Sequence, residues 1–196
     1  MSGKPQFDEA AVIDAALDVF WRHGYTGTSI SQLTSATGLS RSSLYQRFKD
    51  KDGLFQEALA SYVKRVLQRA QSVHADTARG RLEALLREFL PRDGRSKRPP
   101  GCLLARSCSE LVDLPTAAKA LVIDGLTQQR GTLRDLLAAA VAGGELAVDT
   151  DVDALSWHYL GVLQSLLNLP AAGATASELR GVVDLAMASW PKGASK

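Results

Sequence analysis

The chain has 196 residues, of which 45% are apolar and 22% charged, a composition typical of a globular protein that buries its own core. No apolar run approaches the roughly 18 residues of a membrane span, and the first residues lack the apolar segment of a secretory signal, so we expect a cytoplasmic protein without a membrane partner. The net charge of +2 is too small to predict nucleic-acid binding by itself.

Helical periodicity runs through nearly the whole chain, whereas the alternation typical of strands is almost absent. The first apolar stripe, from Val12 to Phe20, stops at His23-Gly24, where glycine suits a left-handed C-terminal cap. The other predicted helices cover Thr28 to Ala36, Ser40 to about Phe48, Asp52 to Ala70, Leu82 to Leu90, Cys102 to Val112, about Thr116 to Ala142, Asp151 to Asn168 and Thr175 to Trp190. This pattern predicts an all-α protein of about nine helices. The basic loop 92–101, rich in proline and glycine, is expected to be mobile.

The segment from Thr28 to Phe48 has the pattern of a helix-turn-helix. Two short helices are separated at Gly38, and the second is opened by Ser40, a good N-cap. Ser29 with Gln32 has the spacing of a capping box at the first helix, although Thr28 is an equally good cap.

The second of these helices has an apolar and a polar side. Leu44 and Phe48 lie four residues apart and are expected to face inward. The outward positions are then small, polar or basic: Arg41, Ser42, Ser43 and Gln46. A positive cluster of Arg41, Arg47, Lys49 and Lys51, opposed only by Asp50 between Leu39 and Lys51, predicts phosphate contacts. An ordinary solvated helix face is the alternative.

These residues resemble the DNA-binding domain of the TetR family of bacterial transcriptional regulators. The matching elements are Phe20-x3-Gly24-Tyr25-x-Gly27-Thr28-Ser29-Ile30, then Gly38-Leu39-Ser40, then Leu44-Tyr45-x2-Phe48-x2-Lys51-x2-Leu54. The resemblance implies a three-helix DNA-binding domain over residues 1–50 and an effector-binding and dimerisation domain over 51–196. It also implies a homodimer formed through the last two helices, a double-stranded DNA operator and an unknown small-molecule effector. The segment Gly101-Cys-Leu, with Glu110 downstream, resembles the opening of the sixth helix in one subgroup.

The resemblance and the helix faces together nominate the DNA-binding residues. Thr28 is expected to bind a phosphate with its hydroxyl and nearby backbone N–H groups, or else only to cap its helix. Arg41 is suited to guanine and Gln46 to adenine in the major groove. The full set of candidates is Thr28, Ser29, Ser40, Arg41, Ser42, Ser43, Tyr45, Gln46, Lys49 and Lys51.

The C-terminal helices suggest a pocket for a mostly apolar effector, although a filled hydrophobic core would have the same sequence pattern. Its candidate lining is Cys102, Arg106, Trp157 and His158, with Gln164 as a further polar group. Cys102 also lies one turn from Arg106, which would favour a reactive thiolate, so a thiol-based sensor is an alternative to an unreactive buried cysteine. Cys108, six residues further on, is a poor disulfide partner for it.

Nothing in the sequence predicts catalysis, a metal or a cofactor. No phosphate loop, nucleotide fingerprint or Ser/His/Asp order is present, and the histidines lack metal-ligand spacing. Asp149, Asp151 and Asp153 imitate the start of a calcium loop, but Ala154 replaces the required glycine, so we interpret them as helix N-terminal residues. Two further hypotheses stay open: a helical ligand-binding protein that does not bind DNA, and an interaction module that keeps the helix-turn-helix only as structure.

Overall fold

The computed structural model describes residues 7–91, 99 and 101–191, and all regular structure in them is helical. The helices are α1 (Glu9–His23), α2 (Ile30–Thr37), α3 (Arg41–Phe48), α4 (Lys51–Gln71), α5 (Ala78–Glu88), α6 (Leu103–Ser109), α7 (Thr116–Ala142), α8 (Val152–Asn168) and α9 (Ala176–Ala188). One short 3-10 helix, Leu169–Ala172, follows α8. The prediction of an all-α protein with about nine helices is confirmed within the described residues.

Helix ends follow the capping residues closely. Asp8, Ser29, Ser40, Thr77, Asp151 and Thr175 each accept a hydrogen bond from a backbone N–H in the first turn of the helix that follows. Asp151 therefore caps the N-terminus of α8, as the sequence predicts. Most of the proposed mobile loop, 92–101, lies outside the described residues.

One helix is shorter than predicted. Periodicity suggested a helix from Cys102 to Val112, but α6 ends at Ser109. After it, Leu111 N–H donates to the Cys108 carbonyl and Asp113 N–H to the Glu110 carbonyl, so the chain makes tight turns. Pro115 follows and disfavours helical backbone in the residue before it. The shortening places the Glu110 side chain at a turn and not within a helix.

The first of two compact units contains residues up to Arg65 together with Cys102–Gly125. Within it α1 packs against α2 and α6, and α2 against α3. Its core is apolar and aromatic, with the Phe20 and Phe55 rings in edge-to-face contact at 4.9 Å between centroids. α6 thus belongs to the same compact unit as the helix-turn-helix.

The second unit contains Val66–Gly101 and the chain from Leu126 onward. α5, α8 and α9 pack together around a core of leucines, with Tyr159 fully buried and its hydroxyl donating to the Ala186 carbonyl. The two units are defined by contacts between residues, whereas the boundary at residue 50 is a functional one and stays a prediction. α4 and α7 each contribute residues to both units.

Candidate nucleic-acid interface

The turn between α2 and α3 is built from local hydrogen bonds. Gly38 adopts left-handed backbone (φ 70°, ψ 4°), and its N–H donates to the Thr34 carbonyl, which ends α2. The Ser40 hydroxyl then accepts the Ser43 N–H at 3.1 Å and starts α3. A glycine and a serine two residues apart therefore set the direction of the second helix.

α3 is held by its apolar side. Leu44 is completely buried and Phe48 is 3% exposed, in a unit where Leu33 of α2 is also fully buried. Burying two side chains of this size fixes the rotation of an eight-residue helix about its axis. The remaining face of α3 is left for solvent or a partner.

The exposed face of α3 carries the residues proposed to enter the major groove. Arg41, Ser42 and Gln46 are exposed, while Ser43 is half-buried with its hydroxyl 2.9 Å from that of Ser40. The Arg41 guanidinium donates to the Tyr45 hydroxyl at 3.3 Å from Nη2 and lies over the Tyr45 ring. This pairing holds the Arg41 guanidinium beside Tyr45, and three of its five N–H groups are not used by the Tyr45 hydroxyl.

Arg47 does not contribute to a free positive patch, contrary to the sequence prediction. Its guanidinium donates to both carboxylate oxygens of Glu9 in α1, at 2.8 and 2.9 Å, and to Glu57 in α4. The hydrogen bonds that Arg47 donates to Glu9 and then to Glu57 raise the pKa of Arg47, and the Arg47 guanidinium lowers the pKa of Glu9. Arg47 therefore joins α3 to α1 and α4, whereas Lys49 is exposed at the end of α3.

Lys51 was predicted to contact the DNA backbone, but its ammonium is directed at its own chain. Nζ donates to the carbonyls of Tyr25 and Thr28, both at 3.1 Å, and lies 4.2 Å from the centre of the Tyr25 ring. The Tyr25 hydroxyl donates to Asp52. Burial, followed by this bond to Asp52, raises the pKa of Tyr25. Lys51, at the start of α4, thus holds the loop between α1 and α2 through these two hydrogen bonds. Two of its three N–H groups are used in this way and are not available to a phosphate.

Thr28 also differs from the expectation. Ser29, not Thr28, caps α2 and forms the capping box with Gln32. Thr28 is only 3% exposed, and its hydroxyl donates to the Gly24 carbonyl at 2.6 Å. A phosphate at this place would therefore meet the backbone N–H groups that the capping box leaves at the start of α2, because the hydroxyls of Thr28 and Ser29 already donate within the chain.

Glu110 is a site residue that sequence reasoning did not nominate. Its carboxylate accepts the backbone N–H of Tyr25 at 2.8 Å and lies so close to Gly24 that a Cβ there would overlap it. α6 is thereby fastened to the loop that leads into the helix-turn-helix. The signal for it in the sequence is the Gly101-Cys-Leu segment with Glu110 downstream.

Of the four residues proposed to line an effector pocket, only Cys102 is buried. Trp157 is 59% exposed and His158 is also exposed, so neither lines the interior of the second unit. Arg106 is exposed on α6. Cys102 is buried, and its sulfur accepts a hydrogen bond from the Tyr62 hydroxyl at 3.3 Å. Cys102 and Arg106 belong to the first unit and Trp157 and His158 to the second, and a shared pocket stays a prediction.

Among the residues that the structure describes, neither cysteine has a neighbouring cation of the kind proposed to favour a reactive thiolate. Cys102 is 1% exposed, whereas Arg106, the cation invoked to activate it, is turned to solvent. Burial, with a smaller contribution from Cys102, raises the pKa of the Cys108 thiol. The described part of the chain contains no group of three or more His, Cys, Asp or Glu side chains placed to hold a metal, and no helix in it is long and apolar enough to cross a membrane.

Comparison with known proteins agrees with this geometry. Residues 12–58 match the family model for bacterial regulatory proteins of the tetR family, and residues 78–186 match that for the tetracyclin repressor-like C-terminal domain. The HTH-type transcriptional repressor ComR of Escherichia coli K12 is 30% identical over 97% of this chain and 92% of its own length. An uncharacterized HTH-type transcriptional regulator of Bacillus subtilis, YezE, is 27% identical over 95% of this chain and 98% of its own.

A solved structure is similar over almost the whole chain. It is a cysteine mutant of the TetR family transcriptional regulator CifR complexed with 26-bp double-strand operator DNA. It superposes with a TM-score of 0.84 at 32% identity and covers 96% of this chain and 100% of that one. The two folds therefore correspond from the helix-turn-helix to the last helices.

Proposed function

Because the chain belongs to the tetR family of bacterial regulatory proteins, we propose that it is a transcriptional repressor that binds a pseudo-palindromic operator as a homodimer and is released by a small-molecule effector. The family consists of regulators, and the chain is not an enzyme. The observation that carries the DNA-binding proposal is the polar face of α3, which stays exposed because Leu44 and Phe48 occupy the other side.

In this proposal α3 enters the major groove. Arg41 donates to a guanine and Gln46 to an adenine, while Ser42 and the partly buried Ser43 approach the base edges or sugar. Backbone phosphates are met by Lys49, by Tyr45 and by the N-terminus of α2 at Ser29, where the backbone N–H groups favour an anion. Contacts to phosphate position the helix, and contacts to bases select the sequence.

The dimer is proposed to form through α8 and α9. Most apolar residues of α8 are used inside the second unit, so the abundance of leucine does not by itself require a partner. Two large apolar side chains of these helices are not buried in the core of the second unit: Trp157 on α8 is 59% exposed and Leu185 on α9 is 74% exposed. A two-fold contact between these helices would bury both, and would repeat each contact in the partner.

Dimerisation would place two copies of α3 in successive major grooves, about 34 Å apart along the duplex. An effector that binds better to a form of the dimer in which the two α3 helices have a different separation would cause release of the operator. Operator and effector would then weaken each other by the same factor. α4 starts directly after α3 and continues for 21 residues, so it is the helix through which such a change would pass.

The test compares two arginines of the same helix, using operator fragments selected from the source genome. Arg41→Ala should lose about 1–3 kcal/mol of operator affinity and discriminate less between operator and unrelated DNA. Arg47→Ala loses the ion pairs that hold α3 and can therefore weaken binding, but it should weaken binding to operator and to unrelated DNA equally, because the Arg47 guanidinium is occupied by Glu9 and Glu57 and contacts no base. Circular dichroism would show that both variants are folded.

The dependence of DNA affinity on salt concentration distinguishes a repressor from a ligand-binding protein or an interaction module that does not bind DNA. A repressor should show a steep loss of affinity with ionic strength, because each neutralised phosphate adds about 0.9 to the logarithmic slope. If the parent bound no genomic fragment, or if Arg41→Ala bound and discriminated as the parent does, the assignment of α3 as the reading helix would be wrong.

A further inference from the structure

Arg41 and Tyr45 form a pair on one side of α3. Arg41 is the first residue of the helix and Tyr45 lies one turn later, so the two side chains are neighbours on the helix surface. The Tyr45 hydroxyl accepts hydrogen bonds from Arg41 Nε at 3.4 Å and from Nη2 at 3.3 Å. The Cζ atom of Arg41 also lies 5.5 Å from the centre of the Tyr45 ring, within the range of a cation–π contact. The half-buried Tyr45 therefore restrains the exposed Arg41.

The Tyr45 hydroxyl occupies only one edge of the guanidinium. A guanidinium is planar, and its five N–H groups have fixed directions. Nε–H and one N–H of Nη2 share the edge that faces Tyr45. The other N–H of Nη2 and one N–H of Nη1 point in parallel from the end of the side chain, and such a pair fits O6 and N7 of guanine. In the described part of the chain this end forms no hydrogen bond, so it is open to a base while the side edge is held.

The partner of Arg41 is neutral, in contrast to the partners of the other arginine in α3. Arg47 donates to the carboxylates of Glu9 and Glu57, whereas Arg41 forms no ion pair with any residue that the structure describes. A phenol restrains the guanidinium without compensating its charge. Arg41 thus keeps its full attraction for DNA, and it has less conformational freedom to lose when it binds.

We propose that Tyr45 is a positioning residue for base recognition: its hydroxyl, as an acceptor, holds the side edge of Arg41 and directs the end of the guanidinium at a guanine. The inference rests on the proposed binding of the operator through α3, and it names the residue that makes Arg41 selective. Within the described residues the Tyr45 hydroxyl donates to no acceptor, so its own proton stays available to a phosphate. One hydroxyl would then connect a contact with the DNA backbone to a contact with a base.

The test measures the affinity for the operator divided by the affinity for unrelated DNA, at one salt concentration. Tyr45→Phe keeps the ring beside Arg41 and removes only the hydroxyl. It should lower this ratio about fivefold, because one neutral hydrogen bond no longer directs the guanidinium. In an Arg41→Ala background the same change should leave the ratio unchanged, since nothing remains to be positioned. A contact between the hydroxyl and a phosphate is made with both DNAs and cancels in the ratio.

Two further measurements separate positioning from a general effect on α3. Operator fragments with one base pair changed at a time show where sequence preference is lost, and Tyr45→Phe should lose it at the same base pair as Arg41→Ala. Lys49→Ala is the matched control, because it removes an exposed cation at the other end of α3 that is proposed to meet a phosphate. It should weaken binding to both DNAs and leave the ratio unchanged. Circular dichroism shows that each variant is folded.

An unchanged or higher ratio in Tyr45→Phe would overturn the proposal. So would an equal fall of the ratio in the Arg41→Ala background, or a loss of preference at base pairs that Arg41→Ala does not affect. In each of these cases a loss of discrimination in Arg41→Ala would leave the repressor proposal standing. If Arg41→Ala itself kept the ratio of the parent, the assignment of α3 as the reading helix would fail, and the positioning role of Tyr45 with it.

Discussion

Removing the carboxylate of Glu110 should loosen the loop between α1 and α2. In Glu110→Ala the Tyr25 N–H loses an acceptor at 2.8 Å in a partly buried setting. A hydrogen bond to a charged group contributes roughly 1.5–3 kcal/mol, so we expect a loss of about 2 kcal/mol. For a chain of this size that corresponds to a fall of about 4–8 °C in melting temperature.

The close approach of Gly24 gives this prediction an internal control. Gly24 has φ 74° and ψ 177°, a backbone conformation essentially reserved for glycine, and a Cβ there would overlap the Glu110 carboxylate. Gly24→Ala should therefore suffer both strain and overlap in the parent, but only strain when Glu110→Ala is also present. The double variant should be more stable than the sum of the single effects predicts, by about 1 kcal/mol or more.

The assay is thermal unfolding followed by circular dichroism at one fixed protein concentration, since the proposed dimerisation would make the midpoint concentration-dependent. Glu110→Gln keeps an acceptor oxygen without the charge and should fall between the parent and Glu110→Ala. If Glu110→Ala melted at the parent's temperature, and Gly24→Ala cost the same in both backgrounds, the carboxylate would not hold the loop and α6 would not be fastened to it.

Three further predictions concern other parts of the chain. Leu185→Lys should weaken the proposed dimer in sedimentation equilibrium, because it places a charge at the α9 contact. Val148→Lys changes another exposed apolar residue in the same way and should leave the dimer unchanged. Equal dimerisation of the two variants would refute the interface through α9. The backbone N–H and hydroxyl of Thr175 lower the pKa of Glu178, so its contribution to stability is full above the ordinary glutamate pKa and is lost as pH falls through the lowered value. Glu178→Gln should remove this part of the acid dependence of the melting temperature, and an unchanged acid profile would argue against the capping role. Burial raises the pKa of the Cys108 thiol, so the rate of its alkylation by iodoacetamide, measured by mass spectrometry, should reach half its limiting value at a higher pH than the rate for free cysteine does. A half-maximal rate at the same pH as for free cysteine, or at a lower pH, would contradict this.

Much of the fold could be predicted because it is encoded locally. Helix starts such as Ser40 and Asp151 depend on a side chain and a backbone N–H two or three residues away, which the sequence displays directly. The inward face of α3 follows from the spacing of Leu44 and Phe48 alone. The exposed positions Arg41 and Gln46 were therefore predicted correctly as outward, although their contacts with DNA stay a prediction.

Where the side chains differ from the sequence-based expectation, the difference arises from contacts between residues distant in sequence. Whether Arg47 faces a phosphate or a carboxylate depends on Glu9, 38 positions away, and no periodicity of α3 reveals that partner. Lys51 is likewise satisfied by carbonyls of a preceding loop, and Glu110 by an amide 85 positions away. Trp157 is predicted to be one of the few polar groups of an otherwise apolar pocket, whereas the structure leaves it 59% exposed and outside the core of the second unit.

The most direct test of the account is a chemical double cycle between Arg41 and the operator. Single guanines in each half-site are replaced by 7-deazaguanine, which lacks the N7 acceptor in the major groove, and binding is compared for the parent and Arg41→Ala. The account predicts that one guanine per half-site weakens the parent by about 1 kcal/mol or more when replaced and has no further effect on Arg41→Ala. If every replacement affected both proteins equally, Arg41 would not read a base, and the exposed face of α3 would not be the surface that recognises the operator.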